Sequence, residues 1–336
     1  MNKIALNFED GVTRFIDVRP GELVADAAYR LGLNIPMDCR DGACGTCKCH
    51  CESGDYSLGD YIDDAMTEEE ASKGFVLTCQ MKAKSDCIIA IPASSAVCKT
   101  KPSSVTATMV KVRHHSDSSI GFSVRPEEGH ALSYLPGQYV NVSVPGSTQT
   151  RSYSFSSMMK DGTAEFLVRN IPGGLMSSYL ASTAQPGDRL TLTGPIGSFY
   201  LRAVVRPLLF LAGGTGLAPF LAMLDHLEGQ LPAHPIHLIY GVTYDADLVE
   251  VERLQAFAQA IPGFTFTTVV ADQASQHERK GFVTHHLPES ALFGGEVDVY
   301  LCGPPPMVDA VRAHFSETNI EPAHFYFEKF NPSESK

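Results

Sequence analysis

Four cysteines are spaced for chemistry: Cys39-x4-Cys44-x2-Cys47, with Cys79 far downstream. Thiolates bind soft metals, and at this spacing one compact loop supplies three ligands to a pair of irons while a distant segment supplies the fourth. Within the loop, Gly42 and Gly45 let the backbone fold tightly and aim N–H groups at the sulfurs. Such dipoles favour the more negative, reduced state of a cluster. A structural zinc site is the competing reading. It calls for paired CxxC or Cys/His sets, but no second CxxC pair exists and His50 lies outside the loop spacing. Cys39, Cys44, Cys47 and Cys79 are therefore assigned to a 2Fe–2S cluster. Cys49 and Cys51 break the spacing and read as strand residues, and Cys87 and Cys98 as packing or surface thiols.

A second set suits a flavin. Pro136-Gly-Gln-Tyr139 precedes Arg151-Ser152-Tyr153-Ser154. A strand with these residues offers Arg151 to the pyrophosphate, Tyr153 to the isoalloxazine and Ser154 to the region of N5. Tyr139 and Ser152 join them as cofactor contacts. Further on, Gly173-Gly174-Leu-Met176-Ser177 resembles a turn opening a helix, where Ser177 and backbone N–H groups receive phosphate oxygens. Alone, RxYS is a short, weak pattern that reads more readily as a barrel strand with a surface Arg. Its position just before a nucleotide-type segment carries the flavin reading.

That segment is Gly213-Gly214-Thr215-Gly216-Leu-Ala-Pro219, which follows an apolar strand and opens a helix. It is not GxGxxG, since Pro219 replaces the third glycine, yet it still places N–H groups and a helix N-terminus at a pyrophosphate. A ligand-free βα turn is the alternative. In Cys302-Gly303-Pro-Pro-Pro-Met307 the cysteine ends a strand at the ligand-binding edge of a parallel sheet, beside the nicotinamide. It reads otherwise as a buried thiol. Tyr240, ending another strand, is a candidate neighbour of the adenosine half. The acidic stretch with Asp245 and Asp247 disfavours a 2′-phosphate and so favours NADH. In the terminal Phe-Glu-Lys-Phe, Glu328 is placed near the flavin and Phe330 over its face, the alternative being ordinary packing of a last edge strand. Tyr153, Ser154, Cys302, Glu328 and Phe330 are the residues expected at the reacting centre.

These residues need elements to hold them. Short β-like runs at 105–113, 120–124, 138–144, 151–156, 165–170 and 189–193, punctuated by Pro-Gly turns, predict a small antiparallel barrel. Runs at 208–212, 237–240, 264–270, 297–301 and 324–327 alternate with helical stretches to about 228, at 249–260 and at 306–316. This alternation predicts an open parallel sheet with helices on both faces. The expected division is 1–96, a linker at 97–105, then 106–203 and 204–336. Apolar residues make up 44% and charged residues 19% of 336, as in globular proteins. A net charge of −12 argues against nucleic-acid binding, which needs a basic patch. Residues 1–98 hold sixteen acidic and nine basic residues. They make either a solvated face or a docking face for a basic partner. No signal peptide or membrane-spanning run is evident, so a cytoplasmic protein without a disulfide framework is expected.

The Cys39/Cys44/Cys47/Cys79 set, RSYS at 151–154, GGTGLAP at 213–219, CGPPPM at 302–307 and FEKF at 327–330 together resemble one family across the whole chain. It is that of the reductase components of two-component aromatic-ring dioxygenases, most closely the benzoate 1,2-dioxygenase reductases, whose layout the toluate and anthranilate systems share. The resemblance implies an N-terminal β-grasp, plant-type ferredoxin joined to a ferredoxin–NADP⁺-reductase-like pair, an FAD-binding barrel and an NAD-binding α/β domain. It also implies a route from NADH to FAD to the 2Fe–2S cluster to a terminal Rieske-type oxygenase, with no protein nucleophile or general base. Reductases of phenol or methane monooxygenases and of sugar-deoxygenating systems share this module order. A cluster-bearing redox sensor without turnover is the reading from a different class, and the intact nicotinamide segments argue against it.

Overall fold

The computed structural model describes residues 1–99, 102–127 and 132–330. Thr100 and Lys101, in the expected linker, lie outside the described residues. The chain forms two compact units, Met1–Pro102 with Ile196–Ser198, and Ser103–Pro195 with Phe199–Lys336. No helix among the described residues is long and apolar enough to cross a membrane.

In the first unit β1 (Asn2–Phe8) buries Ile4, Leu6 and Phe8 on one face, the period-two pattern of a half-covered strand. It pairs antiparallel with β2 (Thr13–Val18) and parallel with the last strand of this sheet. Helix α1 (Val24–Arg30) covers the inner face through Val24, Ala27 and Ala28. Then come β3 (Lys48–Ser53), β4 (Tyr56–Ser57), α2 (Glu68–Ser72), β5 (Phe75–Leu77), β6 (Lys82–Ala83) and β7 (Cys87–Ile91). The sheet order is β2-β1-β7-β3-β5, and β4 and β6 form a ribbon. Thr67 and Glu70 cap α2 reciprocally. Cys49, Cys51, Cys87 and Cys98 are all buried in this core, so they pack rather than face solvent.

The second unit opens with six antiparallel strands: β8 (Ser103–Ser116), β9 (Ser119–Pro126), β10 (Tyr139–Ser143), β11 (Thr150–Ser154), β12 (Ala164–Arg169) and β13 (Arg189–Ile196). Their order is β11-β10-β13-β8-β9-β12. A Phe155–Phe166 bridge and a 2.8 Å bond from the Ser156 N–H to the Glu165 carbonyl join the two edge strands and close the barrel. Helix α3 (Leu175–Ser182) follows β12. Five parallel strands complete the unit: β14 (Leu208–Gly213), β15 (Ile236–Val242), β16 (Phe264–Val270), β17 (Asp298–Gly303) and β18 (His324–Lys329), ordered β16-β15-β14-β17-β18. Every residue of β14 is buried, as a central parallel strand covered on both faces must be. Helices α4 (Ala218–Leu227) and α5 (Val251–Ala260) pack on one face and α6 (Pro305–Thr318) on the other. The crossover from β16 to β17 forms only 3-10 turns, because 271–296 is broken by Gly and Pro. The winding reverses at β14, between β15 and β17, so the ligand crevice lies beyond the C-terminal ends of β14 and β17.

Candidate iron–sulfur, flavin and nicotinamide sites

The four predicted cysteines come together. The Cys39 sulfur meets those of Cys44 and Cys79, and Cys79 meets Cys47. Donors converge on them. The Asp41 and Cys44 N–H groups point at the Cys39 Sγ, the latter at 3.3 Å, and the Gly42 N–H points at the Cys79 Sγ. The hydroxyls of Thr46 and Thr78 approach Cys44 and Cys47. The thiols of Cys44 and Cys79 donate to Cys39, which holds the Cys39 sulfur well below the usual thiol range and pushes the other two up. Gly42 is obligatory: its φ is +81°, and an added Cβ would lie 2.4 Å from the Asp60 carbonyl oxygen. The sulfur contacts run from Cys44 to Cys39 to Cys79 to Cys47, and four cysteines in this arrangement with the donor cradle fit a two-iron cluster. Its inner edge, at Cys47 and Cys79, is buried among Ala65, Met66 and Leu77, while Cys39 and Cys44 are half-buried.

In the barrel, β10 and β11 pair Tyr139 with Ser154 and Val142 with Arg151. The Ser152 hydroxyl donates to Asn141 at 2.7 Å, and Arg151 donates to the Thr150 carbonyl at 2.8 Å. Tyr153 packs edge-on to Phe122, and burial pushes its phenol up, so it stays neutral. The Ser154 hydroxyl donates to Glu328 Oε2 at 3.3 Å, across 174 positions of sequence. Glu328 stands opposite Cys302 in the β17–β18 register. Burial, and then the Glu328 charge, push the Cys302 thiol well up, so it is a neutral wall and not a thiolate. The Phe330 N–H donates to the Gly303 carbonyl at 2.9 Å. Ser154, Cys302, Gly303, Glu328 and Phe330 thus assemble at the ends of β17 and β18. A concavity of about 500 Å³ on the first unit, lined by Lys3, Phe15, Ser53 and Cys87, contains none of the predicted site residues.

The glycines of the two nucleotide turns divide by role. A Cβ on Gly216 would lie 2.3 Å from the Cys302 carbonyl oxygen, and one on Gly213 would lie 2.4 Å from Met307 Sδ. Gly303 meets the same sulfur at 2.9 Å. These three let the turns pack on each other. Gly214, at φ +54°, has open space where its side chain would be, and is the glycine free to meet a ligand. Thr215 is buried and Pro219 enters the first turn of α4 after a 3-10 turn at Gly214–Leu217. Gly173, at φ +74°, is equally open, and Gly174 is the N-cap residue of α3.

Several expectations need correction. Tyr240 is fully buried, its hydroxyl bonded to the Asp247 carbonyl at 3.1 Å, because β15 is covered on both faces. The exposed ring at that strand end is Tyr244, which the sequence reading missed. The Ser177 hydroxyl accepts the Ile171 N–H at 2.9 Å and donates to the Arg169 carbonyl at 3.3 Å, so it holds the turn together and does not project from it. Met176 lies in the barrel core, leaving only its backbone for a phosphate. Asp245 accepts from the Ser275 hydroxyl at 2.7 Å, and Asp247 from Ser118 and the Tyr244 N–H, so both carboxylates are also held by their own chain. Ser118, Asp225, Thr46 and Thr78 carried no local signal.

A cysteine cradle, a closed barrel and a parallel sheet, with Ser154 and Glu328 meeting between the last two, define an iron–sulfur flavoprotein reductase. Residues 7–84 match the 2Fe-2S iron-sulfur cluster binding domain, 106–200 the oxidoreductase FAD-binding domain and 210–313 the oxidoreductase NAD-binding domain. The toluate 1,2-dioxygenase electron transfer component of Pseudomonas putida is 58% identical over 99% of both chains. The anthranilate counterpart of Acinetobacter baylyi is 40% identical over 98% of this chain and 97% of that one. An Amycolatopsis cytochrome P450 reductase structure covers 98% of this chain and 100% of its own with 30% identity and a TM-score of 0.73. The chain belongs to the family of 1,2-dioxygenase electron transfer components. It is an oxidoreductase with 2Fe–2S-, FAD- and NAD-binding domains.

Proposed function

We propose that this chain oxidises NADH and delivers the electrons singly to the terminal Rieske-type oxygenase component of an aromatic-carboxylate 1,2-dioxygenase, with benzoate or toluate as the oxygenase substrate. The observation that carries the reading is the Ser154–Glu328 contact beside Cys302. It joins the RSYS strand to the nicotinamide-type crevice. FAD and the 2Fe–2S cluster, when bound, supply the conversion from two-electron to one-electron transfer. In this reading Arg151 and the Gly173-Gly174 turn hold the flavin phosphates, and Gly214 with the first N–H groups before α4 holds the nicotinamide pyrophosphate. Ser154 Oγ keeps a proton within reach of the reacting centre, backed by Glu328. The buried Cys302 and the partly buried Phe330 exclude water from it. Cys39 and Cys44, on the less buried side, form the electron exit. The name of the relative at 58% identity favours an aromatic-carboxylate partner over a monooxygenase, since a propane 2-monooxygenase reductase component matches at only 30%.

The domain division 1–96, 97–105, 106–203 and 204–336 goes with this function, and the three family matches fall inside its domains, although β8 starts at Ser103 and so takes the last three linker residues into the barrel. A cytoplasmic location, beside an NADH supply, also goes with it. The test is anaerobic reduction followed by the visible spectrum. NADH should bleach flavin and cluster absorption, with kcat/KM for NADH at least about tenfold above NADPH, roughly 1.4 kcal/mol. Equal use of both nucleotides, or no bleaching, refutes the reading.

A further inference from the structure

The turn between β8 and β9 touches two places that the reaction must hold in register. On one side the Asn170 N–H donates to the Ser118 carbonyl at 2.7 Å, and the Asn170 amide donates to the Asp117 carbonyl at 2.9 Å. Asn170 stands immediately before the Ile171–Gly174 turn that opens α3. On the other side the Ser118 hydroxyl donates to Asp247 Oδ1, beyond the end of β15. The second Asp247 oxygen accepts the Tyr244 N–H at 3.2 Å, so both oxygens are engaged. Three residues back along β8, His115 Nδ1 lies 3.3 Å from Glu250 Oε1, with both side chains nearly buried. Room for that imidazole depends on Gly121, where an added Cβ would lie 2.6 Å from His115 Nε2. Glu250 has φ 60°, a left-handed conformation that costs a non-glycine residue on the order of 1–3 kcal/mol and persists where its surroundings over-determine it. Arg253 Nη1, 3.9 Å from Glu250, also reaches Glu165 of β12 at 3.8 Å.

We infer that His115 and Ser118 on the barrel, with Asp247 and Glu250 on the parallel-sheet side, form a latch that positions the bound nicotinamide against the flavin. This rests on the NADH-oxidising reading above and deepens it. Hydride transfer needs reacting atoms about 3–3.5 Å apart, and a 1 Å misplacement costs on the order of a hundredfold. One turn anchored both to the flavin-phosphate turn and to the segment after β15 fixes that separation without touching either ring. The latch also gives Asp247 a second task, holding Ser118. These four are positioning residues, since each acts through the placement of other groups.

The test uses full-length holoprotein with Ser118→Ala, Ser118→Thr and His115→Asn variants. FAD content and thermal midpoint establish folding. Anaerobic stopped-flow then separates the limiting rate of flavin reduction from the NADH concentration at half-saturation. The latch predicts that Ser118→Ala lowers the limiting rate by about tenfold or more while half-saturation moves less than about threefold. Ser118→Thr, which keeps the hydroxyl, should restore most of the rate, and the NADH-to-NADPH ratio should stay unchanged. If Ser118→Ala does not retain FAD, His115→Asn carries the same expectation. Folded variants that reduce at the wild-type rate overturn the latch, and so does a further fall in NADPH use relative to NADH by Ser118→Ala, which would return Asp247 to nucleotide choice. Wild-type protein that NADH fails to reduce overturns the underlying reading instead.

Discussion

Gly216→Ala adds a single methyl group at the junction of the two nucleotide turns. The new Cβ would stand 2.3 Å from the Cys302 carbonyl oxygen, while ordinary contact begins at about 3.4 Å. Something must therefore move by about 1 Å, and the obstacle is backbone at the end of a fully buried strand. Overpacking of this kind costs about 1–3 kcal/mol of stability. A 1 Å shift beside the reacting atoms costs on the order of a hundredfold in rate, about 2.7 kcal/mol of activation free energy. Gly213→Ala is the internal comparison. Its Cβ meets Met307 Sδ at 2.4 Å, the adaptable part of a flexible thioether, so a loss of about tenfold or less is expected. Adding Met307→Ala should recover Gly213→Ala but not Gly216→Ala, because truncating Met307 leaves the Cys302 carbonyl where it is. The assay is anaerobic flavin reduction by NADH, with FAD content and thermal midpoint measured alongside. Gly216→Ala reducing within about threefold of wild type, or recovering with Met307→Ala, would refute the reasoning.

Cys79→Ser should damage or empty the cluster, because a serine oxygen is a harder ligand than a thiolate; NADH-dependent ferricyanide reduction should survive while transfer to the oxygenase component is mostly lost, and loss of both with FAD still bound would contradict the order of carriers. Asp225, with a side chain 1% exposed, accepts the Met158 N–H at 2.8 Å and the Lys160 ammonium at 2.5 Å. Denaturant unfolding should show Asp225→Ala costing about 2–3 kcal/mol, since it strands a backbone donor, and Lys160→Ala under about 1 kcal/mol, since the lysine side chain is 67% exposed and water can take its place at the carboxylate; equal losses would refute the assignment. Burial depresses the His237 imidazole below its ordinary 6.5. The unfolded chain therefore takes up a proton near His237 first as pH falls, so this residue's contribution is constant above about 6.5 and is lost progressively below it. His237→Gln should flatten that acid-side slope in unfolding measured from pH 5 to 8. Arg151→Ala should weaken FAD retention by removing a charge-assisted phosphate contact, as equilibrium dialysis can read.

Much of this protein is legible locally. The loop from Cys39 to Cys47 needs no distant information, because three ligands and two glycines within nine residues already restrict the metal and the backbone. The strands of the barrel and the parallel sheet follow from alternation, apolar runs and Pro-Gly punctuation, which act over a few residues. The GGTG and CGPPPM turns were recognisable for the same reason, as glycine and proline restrict or release the backbone where they stand. Tertiary structure decided which side chains face one another. Ser154 and Glu328 are 174 positions apart and Ser118 and Asp247 are 129 apart, and no local preference of a serine or a carboxylate encodes such a partner. Tyr240 and Ser177 occupy motif positions and still point inward. A parallel strand covered on both faces buries most of its side chains, and a serine after a tight turn satisfies an N–H of that turn first. The glycines were visible as glycines, but their division between packing and ligand approach depends on what lies within a few ångströms in space, which only the closed fold determines.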